Sequence, residues 1–79
     1  MAILYYGNGD VTIKGADIRG VEIRYRGAVE IEKTANDNFA ISHQNNGIII
    51  FPIGEGYLTD LFSYEGELKI LSVIAADNN

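Results

Sequence analysis

Hydrophobic and polar positions alternate along most of this chain, and a period of two marks β-strands with one face buried and the other wet. The clearest stretch begins at Val21: Val21, Ile23 and Tyr25 fall on one side, Glu22, Arg24 and Arg26 on the other. After Gly27 the rhythm resumes, with Val29 and Ile31 on one face and Glu30 and Glu32 on the other. A hairpin centred near Gly27 would align both apolar sets and set Arg24 beside Glu30. Such a cross-strand pair contributes only about 0.2–1 kcal/mol, yet it favours this register over a one-residue slip. Two more hairpins follow from turn chemistry. Ala2–Tyr6 and Val11–Gly15 flank Gly7-Asn8-Gly9-Asp10, and Phe39–Gln44 meets Ile48–Phe51 across Asn45-Asn46-Gly47. Asn-Gly supplies the positive φ angles that a tight hairpin turn demands. Ala16–Gly20 is the expected connection between strands, and Thr34–Asn38 a turn cluster.

Two runs do not alternate. Ile48–Phe51 is apolar throughout, and Leu68–Ile74 becomes so, which predicts strands covered on both faces, by the domain's own layers or by another subunit. Pro52 lacks an N–H and should end or bend the first of these strands. Tyr57, Leu58, Leu61 and Phe62 stand at the i, i+1, i+4 and i+5 spacing of a short amphipathic helix, predicted over residues 57–65 with Gly66 closing it. A five-residue rhythm through Val11-Thr-Ile-Lys-Gly15, Ala16-Asp-Ile-Arg-Gly20 and Val21-Glu-Ile-Arg-Tyr25 suggests a solenoid, but fewer than twenty residues share it, too few to stack. The expected fold is a single, mainly β domain over 1–79, a small β-roll, barrel or sandwich of six or seven strands with one short helix.

Composition limits how such a domain is held together. Its 79 residues bury only about 60% of the surface an unfolded chain exposes. With no cysteine and His43 as the one imidazole, disulfides and thiolate metal sites are excluded. A tight core or self-association remains, and 47% hydrophobic residues supply material for either. The net charge of -5 lies entirely in the second half: residues 1–33 carry five basic and five acidic side chains, residues 34–79 only Lys69 against six acids. Acidic chains are repelled by phosphate backbones and anionic lipid, so nucleic-acid and membrane partners are not expected. No run reaches the ~20 apolar residues of a spanning helix, and the N-terminus lacks signal-peptide character, so a cytoplasmic setting is expected.

Candidate chemistry is sparse, and no catalytic residue, cofactor or metal ligand is assigned. Ser42 adjoins His43, but neighbours on a strand point to opposite faces, which separates nucleophile from base. Glu30 and Glu32 share a face opposite the expected arginines, which would keep both ionised rather than leave one as an acid. Gly54-Glu55-Gly56 places an acid among its glycines and no lysine after them, unlike a phosphate loop. Asn8 and Asp10 offer too few oxygens for calcium. Lys14, Arg19, Arg24, Arg26 and Lys33 crowd around Tyr25, raising single-stranded nucleic-acid binding by a small barrel as the alternative function. Alternation puts Tyr25 opposite Arg24 and Arg26 and interleaves glutamates with the bases, the pattern of a solvated sheet face.

The stretches Gly20-Val-Glu-Ile-Arg-Tyr-Arg-Gly27 and Asn46-Gly-Ile-Ile-Ile-Phe-Pro-Ile53 resemble those of short, uncharacterised proteins of marine cyanophages. The resemblance implies a phage-encoded setting and brings no known activity or site residues. The expected role is a non-enzymatic structural or interaction domain that forms homo-oligomers, with Ile48, Ile50 and Phe51, joined by Ile70 and Val73, as the expected contacts.

Overall fold

A computed structural model describes residues 2–15, 17–32 and 37–77. Among them are eight strands and no helix: β1 (Ile3–Gly7), β2 (Asp10–Lys14), β3 (Ile18–Arg26), β4 (Val29–Ile31), β5 (Phe39–Gln44), β6 (Gly47–Pro52), β7 (Asp60–Gly66) and β8 (Lys69–Asp77). They form two four-stranded antiparallel sheets, ordered β1-β2-β7-β4 and β5-β6-β3-β8. The barrel is not closed. No helix here is long and apolar enough to cross a membrane.

Both turn-based hairpins form. Asn8 and Gly9 take φ of 53° and 87° between paired Gly7 and Asp10, and Asn45 and Asn46 take 52° and 61° between Gln44 and Gly47. Positive φ at both central residues matches the right-handed twist of the flanking strands, and Asn and Gly tolerate it best. Pro52 is the last residue of β6, as its missing donor predicts.

The core fills the space between the sheets. Val11, Ile13, Leu61 and Phe62 come from the first sheet, Ile18, Val21, Ile23, Tyr25, Phe39, Ile48 and Ile50 from the second. Each fully buried aliphatic side chain contributes about 1.5–3 kcal/mol of transfer free energy. Leu58 closes the gap from the loop before β7. That loop ties the layers together: the Leu58 N–H donates to Ile18 O and the Ile13 N–H to Thr59 O, each at 2.7 Å.

Four expectations are corrected. First, the chain does turn at Gly27, but β3 and β4 do not pair. β4 crosses to the other sheet and pairs with β7, setting Glu30 opposite Glu65, while β3 lies between β6 and β8. A central position gives β3 two hydrogen-bonded neighbours instead of one. Second, the segment at 57–65 is not a helix: from Asp60 it is strand β7. Val11 pairs with Phe62 and Thr12 with Asp60, so Leu61 is the extra residue of a β-bulge. The bulge re-aims one side chain, and the adjacent Leu61 and Phe62 both enter the core. That produces the i, i+1 apolar pairing without helical geometry. Third, Ile48–Phe51 does alternate: Ile48 and Ile50 are buried, while Ile49 and Phe51 stand 48% and 43% exposed. Fourth, β3 begins at Ile18, inside the expected connection, and the shared five-residue rhythm falls on β2 and β3 of different sheets. Of the turn cluster at 34–38, residues 34–36 lie outside the described residues.

Two of the five crossings between the sheets, β3 to β4 and β7 to β8, are made by glycines in contact with each other's loops. Gly27 has φ +115° and Gly66 φ +104°; a Cβ on Gly27 would strike the Glu67 carbonyl, and one on Gly66 the Ala28 carbonyl. The Glu67 N–H donates to Ala28 O at 3.0 Å, fixing the approach. Gly27→Ala and Gly66→Ala should each lose at least about 1–3 kcal/mol, because strained φ and a backbone clash coincide. Urea unfolding checks this, with Gly54→Ala as a milder comparison whose new Cβ meets only the Asn38 side chain.

Candidate interaction surface

The outer face of the β5-β6-β3-β8 sheet exposes Ile49, Phe51 and Ile74, while β1 of the other sheet exposes Ile3, Tyr5 and Tyr6. Residues directly opposite in antiparallel strands share a face. Ser42, Ile49, Glu22 and Ile74 therefore form one row across the four strands, with Gln44, Gly47, Arg24 and Ser72 on one side of it. On the other side Phe51 lies opposite Ala40, and Gly20 opposite Ala76. Gly20, Ala40 and Ala76 leave a low floor from which Ile49, Phe51 and Ile74 protrude. Ile74, at 65% exposure, is the most exposed large hydrophobic among the described residues, and Leu71 and Val73 beside it are also exposed. β8 is one edge strand of this sheet, with β3 on one side only, and β5 is the other.

Of the expected contact residues, Ile48 and Ile50 are in the core at 0% and 1% exposure, so no partner can reach them without opening the fold. Their neighbours Ile49 and Phe51 carry that strand's outward surface instead. Ile70 is half-buried against the core, and Val73 is exposed at the edge. Ile49, Leu71 and Ile74 were missed because a run of apolar residues does not say which parity faces inward; Glu22 and Arg24, paired with Ile49 and Gly47, are the register signal that could have found Ile49.

Among the described residues the basic side chains do not form one face, and Lys33 lies outside the described residues. Lys14 sits on the other sheet, opposite Ile3. Arg19 is committed internally: its guanidinium donates to Gly54 O at 3.1 Å and Gly56 O at 2.8 Å and lies 5.9 Å from the Phe39 ring centroid. Gly54–Gly56 thus points carbonyls at a cation, the opposite of a phosphate cradle. Arg24 pairs with Glu22 at 3.7 Å, not with Glu30, and at such exposure the pair contributes under about 1 kcal/mol. Arg26 lies directly opposite Lys69. With Tyr64, Leu68 and Glu67 these two line a shallow depression of about 600 Å³.

Ser42 and His43 project to opposite faces. Ser42 borders the outer surface beside Ile49, whereas His43 Nε2 is hydrogen-bonded to the hydroxyl of buried Tyr25, with ring centroids 5.6 Å apart. Glu32 accepts a 3.0 Å hydrogen bond from Ser63 Oγ, and Glu30, facing Glu65, has no arginine opposite it. Among the described residues no three His, Asp or Glu side chains gather as a metal-ligating set. Comparison with protein-family models, curated proteins and solved structures finds no match for this chain.

Burial raises the Tyr25 phenol above its ordinary pKa of 10.0. A folded-state pKa above the unfolded one stabilises the fold fully below about pH 10, and that stability is lost as pH rises through the raised value. Denaturant unfolding from about pH 8 to about pH 11 should show stability falling at the alkaline end. Tyr25→Phe should flatten part of that fall while losing about 0.5–1.5 kcal/mol at neutral pH with the hydrogen bond to His43.

Proposed function

We propose that this protein is a non-enzymatic interaction domain that assembles with further copies of itself, using the exposed side of the β5-β6-β3-β8 sheet. The single observation that carries this reading is the exposure of Ile49, Phe51 and Ile74 on one sheet face beside Gly20, Ala40 and Ala76, with Glu22 between Ile49 and Ile74. Isolated exposed hydrophobics are ordinary, but several gathered on one sheet face mark a contact surface. A second copy fits the electrostatics. Glu22 stands on this face paired with Arg24, and Asp10, Glu30 and Glu65 lie on the other sheet, so two molecules of net charge -5 can meet here with those three acids apart. The sequence resemblance adds a phage-encoded setting to this reading.

Single-stranded nucleic-acid binding is the second reading, and the Arg26–Lys69 opposition favours it. Like charges placed directly across a strand pair are destabilising unless an anion relieves them. Arg24 extends that group on the same face, whereas Arg19 and Lys14 do not take part.

Size-exclusion chromatography with light scattering across a dilution series separates the readings. Self-association predicts a mass of at least twice the 8.7 kDa chain, falling on dilution; a monomer throughout overturns it. Nucleic-acid binding predicts a salt-sensitive anisotropy shift with single-stranded oligonucleotide, abolished in an Arg24→Glu, Arg26→Glu double variant. No shift at low salt removes that reading.

A further inference from the structure

We infer that two copies join edge to edge through β8, pairing antiparallel about a two-fold axis at Ile74 to make one continuous eight-stranded sheet. The inference rests on the self-association reading and places the contact at the edge of that sheet, where Ile74 is covered while Ile49 and Phe51, two strands away, stay exposed. Edge strands in natural proteins are blunted by shortness, charge or proline. β4 is short, at three residues, and carries Glu30, β1 spans only five, and β5, the other edge of this sheet, has six residues without acid, lysine, arginine or proline and is the shorter edge. β8 runs nine residues and has neither charge nor proline from Ile70 through Ala76.

The backbone fixes the register. The Tyr25 N–H donates to Asn46 O, so Tyr25 faces β6, and by alternation Val21 and Ile23 do too while Glu22 and Arg24 face β8. Ser72 and Ile74, opposite Arg24 and Glu22, therefore bond back to β3, and Val73 and Ala75, opposite Ile23 and Val21, turn their N–H and C=O groups outward. Ile70 also points outward but is already met by the Tyr6 hydroxyl at 3.5 Å, which stops pairing at that end. The free groups are thus those of Val73 and Ala75. An axis through Ile74 sets Val73 against the second copy's Ala75 and Ala75 against its Val73, each pair exchanging two hydrogen bonds. It brings Ile74 against its own copy as the closely spaced, non-hydrogen-bonded pair, covering the most exposed large hydrophobic among the described residues.

Charge permits this join. Lys69, Arg24 and Arg26 border the edge; Asp77 lies on β8 three residues from the axis, so it and its copy would stand six residues apart along the strands, about 20 Å, and Glu22 and its copy three strand spacings apart, about 14 Å. Both separations exceed the Debye length of about 8 Å at physiological salt, so their repulsion is screened.

The chain has no cysteine, so Ile74→Cys gives a single thiol. A non-hydrogen-bonded pair holds its Cα atoms about 4.5 Å apart, within the span a disulfide bridges. Under mild oxidation Ile74→Cys should form covalent dimer on the order of 100-fold faster than Ile49→Cys, an exposed position on the same face, because a prealigned pair behaves as millimolar thiol. Val73→Pro deletes an outward N–H that β3 does not use and should give a folded monomer by circular dichroism and light scattering, while Phe51→Lys leaves association in place. A monomeric parent protein overturns both this geometry and the self-association reading. An oligomeric parent in which Ile74→Cys links no faster than Ile49→Cys, or in which folded Val73→Pro keeps its mass, overturns the edge geometry alone. Should Val73→Pro fail to fold, the cysteine comparison decides.

Discussion

A chain of 79 residues can bury one face of each of its two sheets, and the rest of the structure follows from that limit. The apolar parity of β2, β3 and β6 is consumed between the layers, where Val11, Ile13, Ile23, Ile48 and Ile50 pack with almost no exposure. Among the described residues no third layer covers the second parity of β6 and β8. Ile49, Phe51 and Ile74 are therefore left outside by geometry rather than by composition.

The second constraint is how the chain passes between layers. It crosses from β3 to β4 at Gly27 and from β7 to β8 at Gly66, and these crossings touch, each glycine against the other loop's backbone. Their contact places β8 beside β3 and β4 beside β7, and so decides that β8, not β4, is the long edge of the second sheet. Arg19 supports the opposite end by holding Gly54 and Gly56 against Phe39. Function and fold draw on the same basic residues there: an arginine that closes a loop is not free to meet a phosphate.

The polar groups in this molecule are mostly local fasteners. Tyr25 and His43 join β3 to β5 across β6, and Ser63 and Glu32 join β7 to the end of β4. None converges with a second reactive group, because each lies on a different face or sheet from the residue beside it in sequence. The surface the fold does concentrate is apolar backbone edge and side chain.

The sequence by itself determined the class of fold, both Asn-containing hairpins, the inward parity of Val21, Ile23 and Tyr25, and the stop at Pro52. These depend on residues one to four apart, where side-chain alternation and turn dihedrals act directly. The tertiary structure alone decided the partners. Whether β4 pairs with β3 or β7 depends on contacts far apart along the chain, and the apolar pattern of Val29 and Ile31 suits either neighbour. The bulge at Leu61 made a strand look like a helix, since one inserted residue shifts the parity that sequence reading relies on. For Ile48–Phe51, an unbroken apolar run carries no parity at all, and only the register against Glu22 and Arg24 turned Ile48 and Ile50 inward and left Ile49 and Phe51 exposed.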